Sequence, residues 1–228
     1  MSLPVLVLRP EPGNAATCAA LAASGLDAIA APLFALEPCA WDAPAPDQFD
    51  RLLLTSANAV RHGGGAITHY AGLPCACVGA ATARAAREIG LSVDAVGDHD
   101  GAAILAAHSE PGLRWLWLTG EPHSPLRPAN GQTLTTMILY RSVALPVAAE
   151  TLSRPAIAML YSRAAARQLA RLTPARDRLH LVAISAAVGD AAGAGWASLT
   201  IAAQPQDAAM VALAQRLCQN GPEAREQR

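Results

Sequence analysis

The feature that most constrains this chain is an alternation of short apolar runs with Ala-rich segments of helical spacing. The runs are continuously hydrophobic, which is typical of strands buried on both faces of a parallel sheet. Alternating strands and helices predict βαβ units and an α/β fold with doubly wound parallel sheets. The predicted strands are Pro4–Leu8, Ala28–Leu33, Arg51–Leu54, Cys75–Val78, Ser92–Val96, Arg114–Leu118, Thr135–Val143, Ala156–Leu160, His180–Ile184 and Ser198–Ala202. The predicted helices lie near residues 13–24, 57–65, 80–89, 101–108, 163–171, 186–195 and 207–217.

Three pairs of motifs recur at a constant separation of 106 residues. Each of the first two pairs closes a predicted strand and opens a helix, and the third lies in a predicted helix. The pairs are Leu54-Thr55-Ser56 with Leu160-Tyr161-Ser162, Cys77-Val78-Gly79 with Ala183-Ile184-Ser185, and residues 102–106 with 208–212. A constant separation at three landmarks predicts two related α/β halves.

The predicted strands divide unevenly along the chain. Residues 51–143 contain five of them, enough for one small sheet, whereas residues 156–217 contain only three. The two missing strands can come from residues 3–33. One lobe is therefore expected to be discontinuous, with the other inserted into it.

The expected fold is two small flavodoxin-like lobes. Residues 1-36 and 147-228 form the discontinuous lobe, and residues 37-146 form the inserted one. Phe34–Pro38 and Arg141–Pro146 both end in proline, which favours an extended conformation in the residue before it. They are expected to join the lobes as a two-stranded antiparallel connector.

Composition excludes several classes of protein. Hydrophobic residues make up 52% of the chain and charged residues 15%, which excludes disorder. No uncharged apolar run approaches the roughly 18–20 residues of a membrane span. Residues 1–30 lack the pattern of a signal peptide, so the expected location is cytoplasmic. A net charge of -1 gives no basic surface of the kind that binds nucleic acid or an anionic membrane. The sequence shows no surface for oligomerisation, so a monomer is expected.

Metal and cofactor sites also lack sequence support. The five cysteines form no CxxC and are expected to be reduced core residues. The six histidines show no spacing that would place two metal ligands on one face. Neither GxGxxG nor GxxxxGK[ST] occurs, so we expect no metal and no nucleotide cofactor. The run Gly63-Gly64-Gly65 follows a predicted helix and is interpreted as its end, and Trp115-Leu116-Trp117 as a core strand.

Small hydroxyl residues and glycines follow the predicted strands. Ligands of an open parallel sheet bind at this edge, near helix N-termini. The residues are Arg9, Ser56, Gly79, Thr119, Gly120, Ser162 and Ser185, with Thr82 one turn into its helix. Each Ser or Thr alone is interpreted as a helix cap. Two facing rows, one in each lobe, favour a cleft whose free N–H groups bind a polyanion.

Six segments, in this order and spacing, resemble the uroporphyrinogen-III synthase family from about residue 5 to 217. They are Val7–Pro10, Leu53–Val60, Val78–Ala83, Leu139–Arg141 with the Leu145-Pro146 exit, Leu160–Ser162, and Ile184-Ser185 leading to Gly195-Trp196. The resemblance implies two α/β lobes, one inserted in the other. It also implies a reaction without cofactor, in which hydroxymethylbilane, a linear tetrapyrrole with eight carboxylates, loses water and closes with ring D inverted.

The resemblance also implies roles for individual residues. Tyr140 matches the family's tyrosine beside the second crossing and is the expected general acid, since a phenol is protonated at neutral pH. Substrate-binding roles are implied for Arg9, Ser56, Asn58, Gly79, Thr82, Thr119, Gly120, Ser162 and Ser185. Two departures from the family bear on these roles. The segment Glu121–Pro128 is too proline-rich for the usual basic helix and has only Arg127 as a cation, and the turn after Ser185 lacks a second hydroxyl.

Two other functions remain open on the residues alone. One is a non-catalytic two-lobed protein that closes on an anionic metabolite. The other is a different two-domain α/β enzyme, such as a group transferase. The missing glycine motifs argue against a nucleotide-linked transferase.

Overall fold

A computed structural model describes residues 3–220. The chain divides into two compact units. The discontinuous unit comprises Met1–Ala35 and Val143–Arg228, and the inserted unit comprises Leu36–Ser142.

The discontinuous unit contains a five-stranded parallel sheet with the order β11-β10-β9-β1-β2. Its strands are β1 (Val5–Val7), β2 (Ala28–Ala30), β9 (Ala156–Leu160), β10 (Leu179–Ala183) and β11 (Ser198–Ile201). Its helices are α1 (Gly13–Ala23), α5 (Ala149–Ser153), α6 (Arg163–Leu172), α7 (Ala186–Ala192) and α8 (Asp207–Asn220).

The inserted unit is built on a six-stranded sheet with the order β3-β8-β7-β4-β5-β6. Its strands are β3 (Phe34–Pro38), β4 (Arg51–Leu54), β5 (Pro74–Val78), β6 (Ser92–Gly97), β7 (Arg114–Glu121) and β8 (Thr133–Ala144). Its helices are α2 (Ala57–His62), α3 (Ala80–Glu88) and α4 (Gly101–Ala107). Strands β4 to β8 run parallel.

The chain passes between the units within β3 and β8, which are neighbours in the sheet. The Cys39 N–H donates to the Leu139 carbonyl at 2.8 Å, and the Leu145 N–H donates to the Leu33 carbonyl at 2.9 Å. Going from Leu33 to Cys39 along one segment, the partner residue moves back from Leu145 to Leu139 on the other, so the two strands are antiparallel.

Apolar side chains cover both faces of each sheet, as the continuous hydrophobic runs predicted. In the discontinuous unit, Leu6, Leu8 and Leu160 pack on one face, and Val5 and Val7 belong to a second cluster with α8. In the inserted unit, Leu52 and Leu54 lie in one cluster, and Leu53 packs with both Trp115 and Trp117 in another. The prediction that the two tryptophans pack in a core is confirmed.

The internal repeat is confirmed by the helix positions. Helices α2, α3 and α4 begin at residues 57, 80 and 101, and α6, α7 and α8 begin 106 residues later in each case. The strand orders of the two units also match, with β7 and β8 in the places of β1 and β2.

Several sequence-based details differ from the structure. The strand predicted over 28–33 ends at Ala30, before Pro32, which has no N–H to donate to a ladder. Strands β7 and β8 are longer than predicted, and α5 was not predicted. Cys75 and Cys77 are buried as expected, whereas Cys18, Cys39 and Cys218 are only half-buried.

Candidate active site

The registers of the inserted unit bring four of the expected site residues to one sheet edge. Leu54 lies opposite both Leu118 of β7 and Cys77 of β5, so the carboxyl ends of these strands align. Gly120 of β7 lies opposite Tyr140 of β8. Ser56, Gly79, Gly120 and Tyr140 therefore lie along the same edge, where parallel sheets bind ligands.

Tyr140 lies flat against the backbone of Gly120. A Cβ built on Gly120 would lie 2.2 Å from the Tyr140 ring carbons Cε2 and Cζ, so only glycine fits there. The His62 ring packs against Tyr140 with 5.4 Å between centroids and an interplanar angle of 32°. Burial, followed by the neighbouring Arg61 guanidinium, lowers the pKa of His62, so its imidazole is neutral at pH 7. The phenol is thus held between a glycine backbone and a neutral aromatic ring.

The strand-to-helix turns of the inserted unit differ in how they use side chains. The Ser56 hydroxyl caps α2 by accepting a hydrogen bond from the Asn58 N–H at 3.2 Å. The Asn58 side chain accepts from Arg61 at 2.8 Å. Gly79 opens α3 with a φ of 79°, a left-handed conformation that favours glycine. Thr82 lies in the first turn of α3 and is buried.

The segment between β7 and β8 contains no helix, as its prolines predicted. Within it, the His123 ring packs edge-on against Trp117, at 4.8 Å between centroids, and Nδ1 pairs with the Gly120 carbonyl at 3.1 Å. Leu126 lies against Gly101 at the start of α4. Thr119 is 4% exposed, so its side chain offers little surface to a ligand.

The carboxyl edge of the discontinuous sheet carries the other predicted residues. The Ser162 hydroxyl caps α6 by accepting from the Ala165 N–H at 3.1 Å. Ser185 precedes α7, but its side chain makes no capping hydrogen bond. Arg9 follows β1, which neighbours β9, so these three residues lie on one edge.

Arg9 belongs to a polar cluster that the sequence did not predict. Its guanidinium lies over the Tyr161 ring, 4.3 Å from the centroid, and its Nη1 is 3.4 Å from Asp207 Oδ1. The Asp207 carboxylate also accepts hydrogen bonds from Thr17 Oγ1, at 3.1 and 3.2 Å, and from the Tyr161 hydroxyl. Burial and the hydrogen bond to Asp207 raise the pKa of Tyr161 well above its usual range. Asp207 is therefore the acidic partner of Arg9.

Neither a metal site nor a membrane-spanning helix is found among residues 3–220. No group of three or more His, Cys, Asp or Glu side chains among them could hold a metal ion. Of the helices that they form, none combines the length and hydropathy that a membrane span requires.

Comparison with known proteins identifies the family. The model of the uroporphyrinogen-III synthase family HemD matches residues 15–212. Uroporphyrinogen-III synthetase from Helicobacter pylori superposes with a TM-score of 0.65 at 13% identity, over 94% of this chain and 99% of that one. A mutant uroporphyrinogen III synthase from Thermus thermophilus superposes with a TM-score of 0.62 at 18% identity, over 96% of this chain and 100% of that one. No curated protein matches significantly.

At these identities the structural matches establish the two-sheet α/β fold, and the match to the family model establishes descent. The chain therefore belongs to the uroporphyrinogen-III synthase family, and it is a lyase that performs the cyclisation step of haem biosynthesis.

Proposed function

We propose that the chain converts hydroxymethylbilane to uroporphyrinogen III, with inversion of ring D, and that Tyr140 is the proton donor. The family match over residues 15–212 carries the choice of reaction. The choice of Tyr140 is supported by its place at the carboxyl edge, opposite Gly120 and against His62.

The chemistry requires one proton transfer at the start. The Tyr140 hydroxyl donates a proton to the terminal hydroxyl of the substrate, which leaves as water. The resulting azafulvene is attacked by the substituted carbon of ring D, and the spiro intermediate breaks and recloses at the other α-carbon of that ring, which inverts it. That carbon loses its hydrogen as a proton, which returns to the phenolate, so the net change is the loss of one water. A positioned general acid contributes a factor of about 100 or more.

Binding supplies the other part of the rate. The linear substrate also closes unaided, without inversion, so the enzyme must hold the chain ends in the geometry that inverts ring D. We assign the substrate carboxylates to N–H groups and hydroxyls at the turns after the strands. Ser56, Asn58 and Gly79 serve in the inserted unit, and Ser162 and Ser185 in the discontinuous unit. The protein is proposed to act as a cytoplasmic monomer without cofactor.

The test is an incubation with hydroxymethylbilane followed by separation of the uroporphyrinogen isomers. Isomer III is the expected product, and isomer I alone would favour the non-catalytic binding protein instead. Tyr140→Phe should lower the initial rate of isomer III formation about a hundredfold, because the proton donor is removed.

Tyr70→Phe is the matched control. The Tyr70 hydroxyl donates to the Pro44 carbonyl at 2.8 Å, away from the carboxyl edge, so its loss should leave the rate unchanged. Full activity in Tyr140→Phe would assign the proton donor to another group.

A further inference from the structure

A groove with a cavity volume of about 480 Å³ lies on the discontinuous unit, beside α6 and α7. This volume is within the range of about 300–1,000 Å³ that small-molecule sites occupy. The groove is lined by two arginines, a phenylalanine and three alanines. The residues are Phe34, Ala164, Arg167, Ala170, Arg171 and Ala191.

The lining carries two positive charges and no negative one. Arg167 is exposed on α6, and within residues 3–220 it forms no ion pair and no hydrogen bond through its guanidinium. Arg171 lies one turn later and donates to the neutral Gln168 side chain. Both guanidiniums therefore keep their full charge for an anion.

Arg9 does not offer the same free charge. It is paired with Asp207, stacked on Tyr161 and only 31% exposed. In the inserted unit, Arg141 is paired with Glu37 and Arg114 with Asp50. The segment between β7 and β8 supplies only Arg127. A polyanion that binds this chain finds two unpaired cations in one place at the α6 groove.

We propose that the α6 groove binds one pyrrole ring of the substrate together with its carboxylate arms, a site that the sequence did not predict. This inference rests on the proposed function. The pyrrole ring would lie on Phe34 and the alanines, which present an apolar surface, while the two guanidiniums receive the carboxylates. Guanidinium pairs with carboxylate through two parallel hydrogen bonds, which fixes orientation as well as affinity.

The first experiment measures KM and kcat for hydroxymethylbilane in Arg167→Ala. KM should rise about tenfold while kcat changes little, because a charged hydrogen bond made before the chemical step is removed. Arg167→Lys keeps the charge but not the two parallel hydrogen bonds and should recover only part of the loss, and Arg167→Glu should raise KM further. Arg216→Ala is the matched control, since Arg216 is exposed on α8 and lies outside the groove.

A second variant tests the groove without changing its charge. Ala164→Phe places a ring in the groove from the exposed side of α6 and should also raise KM, with an unchanged circular dichroism spectrum. An unchanged KM in both Arg167→Glu and Ala164→Phe overturns the groove assignment. Formation of isomer III by the unmodified chain is measured separately. An unchanged KM in the two variants would therefore leave the proposed reaction unaffected.

Discussion

The crossover from β1 to β2 in the discontinuous unit and the equivalent crossover from β7 to β8 in the inserted unit differ in structure. In the discontinuous unit, β1 connects to β2 through α1, an Ala-rich helix of 11 residues. In the inserted unit, β7 connects to β8 through residues 122–132, which form no helix. A Glu-Pro pair occurs in both crossovers, at Glu11-Pro12 and Glu121-Pro122. Two further prolines at 125 and 128 remove the N–H groups that a helix would need.

The strand-to-helix turns of the two units are at equivalent positions, but the side chains beside them make different contacts. Thr55 and Tyr161 occupy equivalent positions after β4 and β9. Thr55 accepts a hydrogen bond from Trp117 at 3.1 Å, whereas Tyr161 lies in the cluster of Arg9 and Asp207. The inserted unit holds the phenol proposed as acid, and the discontinuous unit holds the two arginines of the α6 groove. Under the proposed function, proton transfer belongs to the inserted unit, whereas both units contribute to anion binding.

The largest expected effect tests whether the two cores are equivalent. Leu54 and Leu160 close the equivalent strands β4 and β9, and neither is exposed. Each Leu→Ala substitution should lower the free energy of unfolding of its own unit by about 3 kcal/mol, through lost burial and the cavity left behind. Urea unfolding followed by tryptophan fluorescence separates the units in a Trp196→Phe background, because Trp41, Trp115 and Trp117 then report only on the inserted unit.

In that background, Leu54→Ala should shift the fluorescence transition and Leu160→Ala should not. A shift of the same size in both variants would contradict independent cores.

The next effect concerns the phenol that distinguishes the inserted unit. Gly120→Ala places a methyl group within the Tyr140 ring and must displace it, a type of overpacking that costs about 1–3 kcal/mol. The initial rate of isomer III formation should fall about tenfold with the fold retained. Gly65→Ala is the control, because a Cβ there meets no atom within 4 Å. Full activity in Gly120→Ala would mean that the position of Tyr140 does not limit the reaction.

Local patterns predicted every helix but α5 and the serine caps of α2 and α6, whereas Ser185 makes no capping hydrogen bond at α7. Ser56 and Ser162 were interpreted as caps and make the expected hydrogen bonds, since a cap depends only on residues two or three positions away. Arg51–Leu54 and Ala156–Leu160 were predicted to the residue because turn signals bound both runs.

Contacts made across the sequence could not be predicted in this way. Tyr161 meets Asp207 across 46 residues and Arg9 meets it across 198, so only the strand order brings them together. His62 is the last residue of α2 and Tyr140 lies within β8, and no local sequence pattern connects these two positions. The α6 groove was missed because Arg167 and Phe34 belong to segments that the sequence separates.

The smallest expected effect compares the ion pairs of the two units. Two Arg114 side-chain nitrogens donate to Asp50, at 2.7 and 3.1 Å, whereas Arg9 meets Asp207 with a single contact at 3.4 Å. The side-chain hydrogen bonds from Arg114, with one from its backbone N–H, lower the pKa of Asp50 to about 2. Since the pKa is lower in the folded state, the carboxylate stabilises the inserted unit above pH 4 and loses that contribution as the pH falls from 4 to below 2.

Asp50→Asn should lower the free energy of unfolding by about 0.5–1 kcal/mol at pH 7, a small value because the pair is largely solvated. The difference from the unmodified chain, measured by urea titration, should shrink as the pH falls below 4 and vanish only below pH 2, where the carboxyl is protonated in both states. A difference that is constant with pH would mean that the hydrogen bonds alone account for it.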